Sequence, residues 1–189
     1  MSRYDNLTNE QYGLLFDVRR SVRYHDRRRS FYEQCHHVTN VLTILMSGSV
    51  LFDLAKDGKT AWWLILMGVF AALFAAADMV IGYAKQAGIH AALRERFAEL
   101  EIKMLSGSAD ESVWLDYQRE RLFIEKDEPP IYKALDGLCR NELLIAEGYS
   151  KRENPEDFAE VGFFEKLTSN LYQWPNLDVT RGHSEVKAA

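Results

Sequence analysis

Asp78 is the residue in this chain best placed to do chemistry. It lies inside the apolar stretch Thr60–Ala84, and an ionisable group in hydrocarbon is costly and a functional candidate by default. A second apolar stretch, Val38–Ala55, precedes it, and Lys56-Asp57-Gly58-Lys59 separates the two. If the chain turns back between Asp57 and Gly58, position 78 stands level with His36 and His37. The spacing therefore predicts a carboxylate–imidazole pair. Such a pair either responds to pH or gating, or locks two helices together. On the first stretch His36, Asn40, Thr43 and Ser47 fall within about 60° of one another at 100° per residue. That polar stripe either lines a water-filled path between subunits or hydrogen-bonds to the second stretch. Gly68, Ala71, Ala75 and Gly82 share the small-residue character that close helix packing requires.

Other groups read more blandly. Cys35-His36-His37 lacks further ligands at metal-binding spacing, so no metal and no cofactor are expected. His25 and His90 are equidistant from the turn and are expected to stack on each other. Arg19, Arg20, Arg23, Arg27, Arg28 and Arg29 form a basic run whose expected partner is anionic lipid headgroups. No nucleic-acid partner is expected, because sequence-reading features are missing and the chain has a formal charge of −5. The sequence contains no GxSxG, GxxxxGK[ST], GxGxxG, CxxC or HExxH, and no enzymatic activity is expected. Glu125, Asp127 and Glu128 beside Pro129-Pro130 read as an acidic helix end. Two cysteines make no disulfide framework.

The elements that must position these residues are long helices. Each apolar stretch is near the roughly 20 residues that cross ~30 Å of hydrocarbon, and the charged turn cannot itself cross. The reading is an all-α membrane protein with an antiparallel transmembrane hairpin, 38–55 and 60–84, around an external turn at 56–59. Residues 1–37 carry seven arginines against five carboxylates, residues 85–189 fourteen basic against twenty acidic residues, and the turn only two lysines beside an aspartate. The arginine bias places both termini in the cytoplasm. Trp62 and Trp63 stand where an outer aromatic belt would be, and Tyr83 at the inner face. No cleavable signal is read in residues 1–30, which are charged and lack an apolar core.

Thr8 and Gln11 predict a capping box, and no proline occurs before Pro129. The first helix is expected over about 9–54 and the second, unbroken, over about 60–105, with Leu93, Phe97, Leu100 and Met104 as its apolar seam. Further helices are expected at 111–127, at 131–148 with Ile131, Leu135, Leu138 and Ile145 inward, and from Pro155 to about Trp174 as one amphipathic helix. Residues 1–37 are then the cytoplasmic part of the first long helix, 85–149 a cytoplasmic helical collar, and 150–189 a C-terminal extension whose Phe158, Val161, Phe164, Leu167 and Leu171 suit a docking helix.

Three motifs occur together in order: Tyr24-His25-Asp26-Arg27-Arg28-Arg29-Ser30-Phe31-Tyr32; Asp78-Met79-Val80-Ile81-Gly82-Tyr83 followed by His90; and Glu125-Lys126-Asp127-Glu128-Pro129-Pro130-Ile131-Tyr132 with Lys133-Ala134-Leu135-Asp136 and Cys139-Arg140-Asn141-Glu142-Leu143. Over about residues 12–148 the chain resembles the SLATT family, two-transmembrane effector domains associated with SMODS and SLOG proteins. The resemblance implies a bacterial inner-membrane effector that oligomerises into a pore and depolarises or kills its host cell on a phage-infection or nucleotide signal. It also marks His90, Asp127, Glu128 and Pro129 as regulatory candidates. The partners it implies are other copies of the chain, membrane lipids and a trigger protein or nucleotide. A non-conducting membrane anchor that recruits a cytoplasmic partner is the alternative.

Overall fold

The computed structural model describes residues 7–57, 62–107 and 110–177, with 50–57 as helical backbone only. Among these residues every regular element is a helix: α1 (Asn9–Asp57), α2 (Trp62–Ile81), α3 (Tyr83–Ser106), α4 (Glu111–Glu125), α5 (Lys133–Ala146), a 3-10 turn (Pro155–Asp157) and α6 (Phe163–Leu167). Of the expected turn at 56–59, Lys56 and Asp57 belong to α1, while 58 and 59 lie outside the described residues, as do the last residues from 178 onward.

α1 opens as the capping box predicts. The Thr8 N–H donates to Gln11 Oε1 at 3.0 Å, and the Gln11 N–H donates to Thr8 Oγ1 at 3.2 Å. With no proline or strand signal to stop it, α1 continues to Asp57. The second long helix, expected to be unbroken, is interrupted. Gly82 has φ +64° and separates α2 from α3. A residue with no Cβ adopts that left-handed angle at little cost, whereas an L side chain resists it.

The chain forms two compact units, residues 1–27 with 91–189, and residues 28–90. In the first unit α1 and α3 run antiparallel, with Arg19 on Glu101 and Asp26 on Arg94. The seam Leu93, Phe97, Leu100 and Met104 is buried. α5 packs antiparallel on α1. Tyr24 meets Leu135 and Cys139, and Phe16 and Tyr12 meet Leu143 and Leu144. The inward face of α5 is therefore not the expected one: Leu135 is buried, but Ile131 and Ile145 are exposed. Ala134, Cys139, Leu143 and Leu144 take the core instead, because Tyr24 and Phe16 of α1 fill it from the other side.

The expected amphipathic helix from Pro155 is absent. Pro155 opens only a 3-10 turn. The backbone of Ala159 is then held by the Asn141 side chain at 2.8 Å in both directions. Gly162 restarts a five-residue α6. Phe158 is buried, while Phe164, Leu167 and Leu171 are exposed; α6 packs on α5, and the Lys133 N–H donates to the Gln173 carbonyl at 3.2 Å.

The second unit holds the remainder of α1, α2 and the start of α3. α2 turns Leu64, Ala71 and Asp78 inward at heptad spacing. The helical stretch beginning at Trp62 is long and apolar enough to cross a membrane, and only 11% of its most apolar window is buried, unlike the core helix of a soluble protein. It is the one such stretch among the described residues.

Candidate functional site

The centre of the second unit is a polar contact between α1 and α2. His36 Nδ1 stands 3.2 Å and 3.3 Å from the two carboxylate oxygens of Asp78. On the other edge of the ring, Asn40 Nδ2 is 3.1 Å from His36 Nε2. One amide placement makes a consistent proton pattern: Nδ1–H donates to the carboxylate and Nε2 accepts from the amide. The sequence register thus brought His36, not His37, to Asp78. His37 is exposed, its ring 6.0 Å from that of His36.

The rest of the stripe divides. Thr43 Oγ1 is buried without a hydrogen-bond partner, while Asn40 and Ser47 are exposed beside exposed Val38, Val41, Ile44 and Leu45. Of the four packing candidates only Ala71 is buried. Ala75 is exposed, a Cβ at Gly68 would meet nothing within 4 Å, and Gly82 is the helix break. The heptad Leu64–Ala71–Asp78 forms the contact, and it passes Gly68 and Ala75 by.

One turn below His36, Tyr32 is clasped by three groups. Arg28 sits over its ring at 4.6 Å and bonds its hydroxyl, His90 stacks at 5.7 Å and 18°, and Tyr83 lies tilted at 6.4 Å. Within the first unit His25 lies on Phe97, 5.6 Å away at 12°. Tyr32 was not singled out from the sequence. Its signal was its position one turn before His36, with Tyr83 and His90 a heptad apart opposite it.

In the first unit, Glu128 Oε1 closes on His25 Nε2 at 3.1 Å and Asp127 pairs with Arg96 at 2.9 Å. Pro129 borders a cavity of about 350 Å³ with Arg20, Tyr24 and Asp136. The Tyr132 N–H donates to the Tyr24 hydroxyl at 3.0 Å. The acidic turn thus grips two adjacent residues of α1.

The basic run is engaged by the protein itself. Arg19 pairs with Glu101 and Glu147, Arg27 with Glu142, and Arg29 with Glu33. Arg23 donates to the Arg19 carbonyl, and Arg28 is buried over aromatic rings. Arg20 joins an alternating chain, Asp136–Arg20–Asp17–Arg121–Glu125, that ties α5, α1 and α4. Of this run, Arg19, Arg20 and Arg27 reach carboxylates of the C-terminal half. Trp62 and Trp63 are exposed, as an interfacial role requires.

Burial leads the displaced titrations of Asp136, Cys139, Tyr12 and Arg140. It raises Asp136, against the opposing pull of Arg20. It pushes the Cys139 thiol up to about 12, and it raises Tyr12, helped by the Glu147 carboxylate that its hydroxyl contacts. Burial also lowers Arg140, which leans on Phe16 at 5.5 Å. These groups serve packing, with no nucleophile–base pair among them.

No protein family, curated protein or solved structure matches this chain.

Proposed function

We propose that this chain is a bacterial inner-membrane effector. Its two apolar helices cross the bilayer as a hairpin with both termini cytoplasmic, and its copies assemble into a pore that depolarises the cell on a phage-infection or nucleotide signal. The observation that carries this reading is the polar edge of α1. Asn40 and Ser47 are exposed on a surface otherwise made of Val38, Val41, Ile44 and Leu45. Against lipid those groups are costly, and against another copy or a water-filled path they are not. Two helices enclose no channel, so the water path requires several copies. The resemblance of the three motifs, in their order, to the SLATT family points the same way.

A non-conducting anchor is the second reading. It draws on Phe163, Phe164, Leu167 and Leu171, which are exposed on the C-terminal segment and suit a recruited partner.

Membrane potential read with a voltage-sensitive dye separates the two. In bacteria expressing the chain together with its trigger, the pore reading expects depolarisation and growth arrest, weakened in an Asn40→Leu/Thr43→Leu/Ser47→Leu variant that still reaches the membrane. Arrest that survives those substitutions with the potential intact supports the anchor.

A further inference from the structure

Asp78 joins two features of the second unit. Its carboxylate holds His36 of α1. Its backbone carbonyl, one turn from the helix break, accepts the Gly82 N–H at 2.8 Å. The Gly82 carbonyl in turn accepts the Gln86 N–H at 2.9 Å. A single left-handed residue therefore sits inside helical bonding that continues on both sides of it. Space is not what demands glycine there. A Cβ at position 82 would meet only Lys85 Cβ, at an ordinary 3.7 Å. The backbone angle of +64° demands it.

The two sides of the break are held differently. The first turns of α3 are fixed to α1 by aromatic stacking, with Tyr83 and His90 both on Tyr32 and Arg28 over the same ring. The end of α2 that leads into the break is joined to α1 by the His36–Asp78 contact, and the next fully buried residue of α2 is Ala71, two turns away. Glycine occupies right- and left-handed angles with similar ease. The left-handed form of Gly82 is therefore held by the surrounding side-chain contacts and not by its own backbone preference.

We infer that His36, Asp78 and Gly82 form a latch and hinge. The His36–Asp78 contact holds the bent, closed arrangement, and its release lets position 82 turn right-handed so that α2 and α3 join as one straight helix. This rests on the proposed pore, in which straightening is the opening step. A signal drives it by favouring the straight form, in proportion to its difference in affinity for the two. Asn40, on the far side of the His36 ring, orients the imidazole.

Two substitutions act on the two parts separately. His36→Gln removes the latch. Gly82→Ala penalises the left-handed angle without a clash and is expected to shift the closed-to-open ratio about 5- to 30-fold toward open. Each should raise the untriggered leak of full-length protein in liposomes, and the exchange His36→Asp/Asp78→His should restore tightness. Spin labels at Ala72→Cys and Gly88→Cys, on both sides of Gly82, in a Cys35→Ala/Cys139→Ala background, report the bend without reference to conduction. A longer distance in both variants supports the latch and hinge. If the distance grows but no leak appears, the device stands and the pore reading falls. An unchanged distance in both variants overturns the inference, as does a Gly82→Ala chain that stays bent.

Discussion

The imidazole of His25 lies nearly parallel to the ring of Phe97, with centroids 5.6 Å apart and planes 12° from one another. Both residues are buried, and the Glu128 carboxylate stands 3.1 Å from the His25 Nε2, a contact between side chains more than 100 positions apart in sequence.

Glu128→Ala is expected to lower the stability of the helical unit by about 1–3 kcal/mol, the range for removing one partner of a buried hydrogen bond. Glu128→Gln keeps an acceptor at the same place and should lose less. Thermal unfolding in detergent checks both, and equal losses would show that Glu128 acts through its charge alone.

Asp136 gives a pH dependence of definite sign. Burial raises its folded-state pKa above that of the unfolded chain, so the native form binds the proton more tightly. Its contribution is most favourable below the ordinary carboxylate value of about 3.9 and declines as pH rises through the raised native value. The difference in stability between wild type and Asp136→Asn should therefore move against wild type as pH is raised from 4 to 7. A difference that is flat with pH, or that moves the other way, would contradict the assigned cause.

Cys139 should be silent to thiol reagents in the folded protein. Its thiol is pushed up to about 12 and its side chain is buried, so at pH 8 about one molecule in ten thousand carries the thiolate. Maleimide labelling followed by mass spectrometry should leave Cys139 unmodified in native membranes and modify it after denaturation. Rapid native labelling would mean that α5 opens away from Tyr24.

The proposed topology is tested from outside the cell. A cysteine at Gly58 should react with an impermeant reagent added to intact cells, and one at Asp110, between α3 and α4, should not. The reverse pattern would invert the orientation.

Much of this was legible in local signals. The capping box at Thr8 and the seam Leu93–Phe97–Leu100–Met104 depend on neighbours three and four apart, and they form as expected. The level of Asp78 with His36 followed from counting outward from the turn, since a helix rises uniformly. The break at Gly82, where an unbroken helix was expected, was not legible. No sequence rule says whether a glycine in a helix will turn left-handed. The C-terminal segment failed for another reason. Its apolar residues had helical spacing, but Asn141 captured the backbone of Ala159 and Phe158 found a pocket, contacts set by residues distant in sequence. Charge counting likewise sees a basic run and not the carboxylates that pair with Arg19, Arg20 and Arg27.

Those carboxylates also carry information about timing. The partners of Arg19 and Arg27 that lie on α5 and just past its end, Glu147 and Glu142, come 128 and 115 residues later in the chain. During synthesis the N-terminal arginines leave the ribosome long before these partners exist. On the proposed topology they are bare cations when the hairpin chooses its direction, and neutralised ones once translation has finished. The same side chains thus act first as an address and then as mortar. A truncated chain ending before α5 should still insert in the correct sense while failing to build the helical unit beneath it.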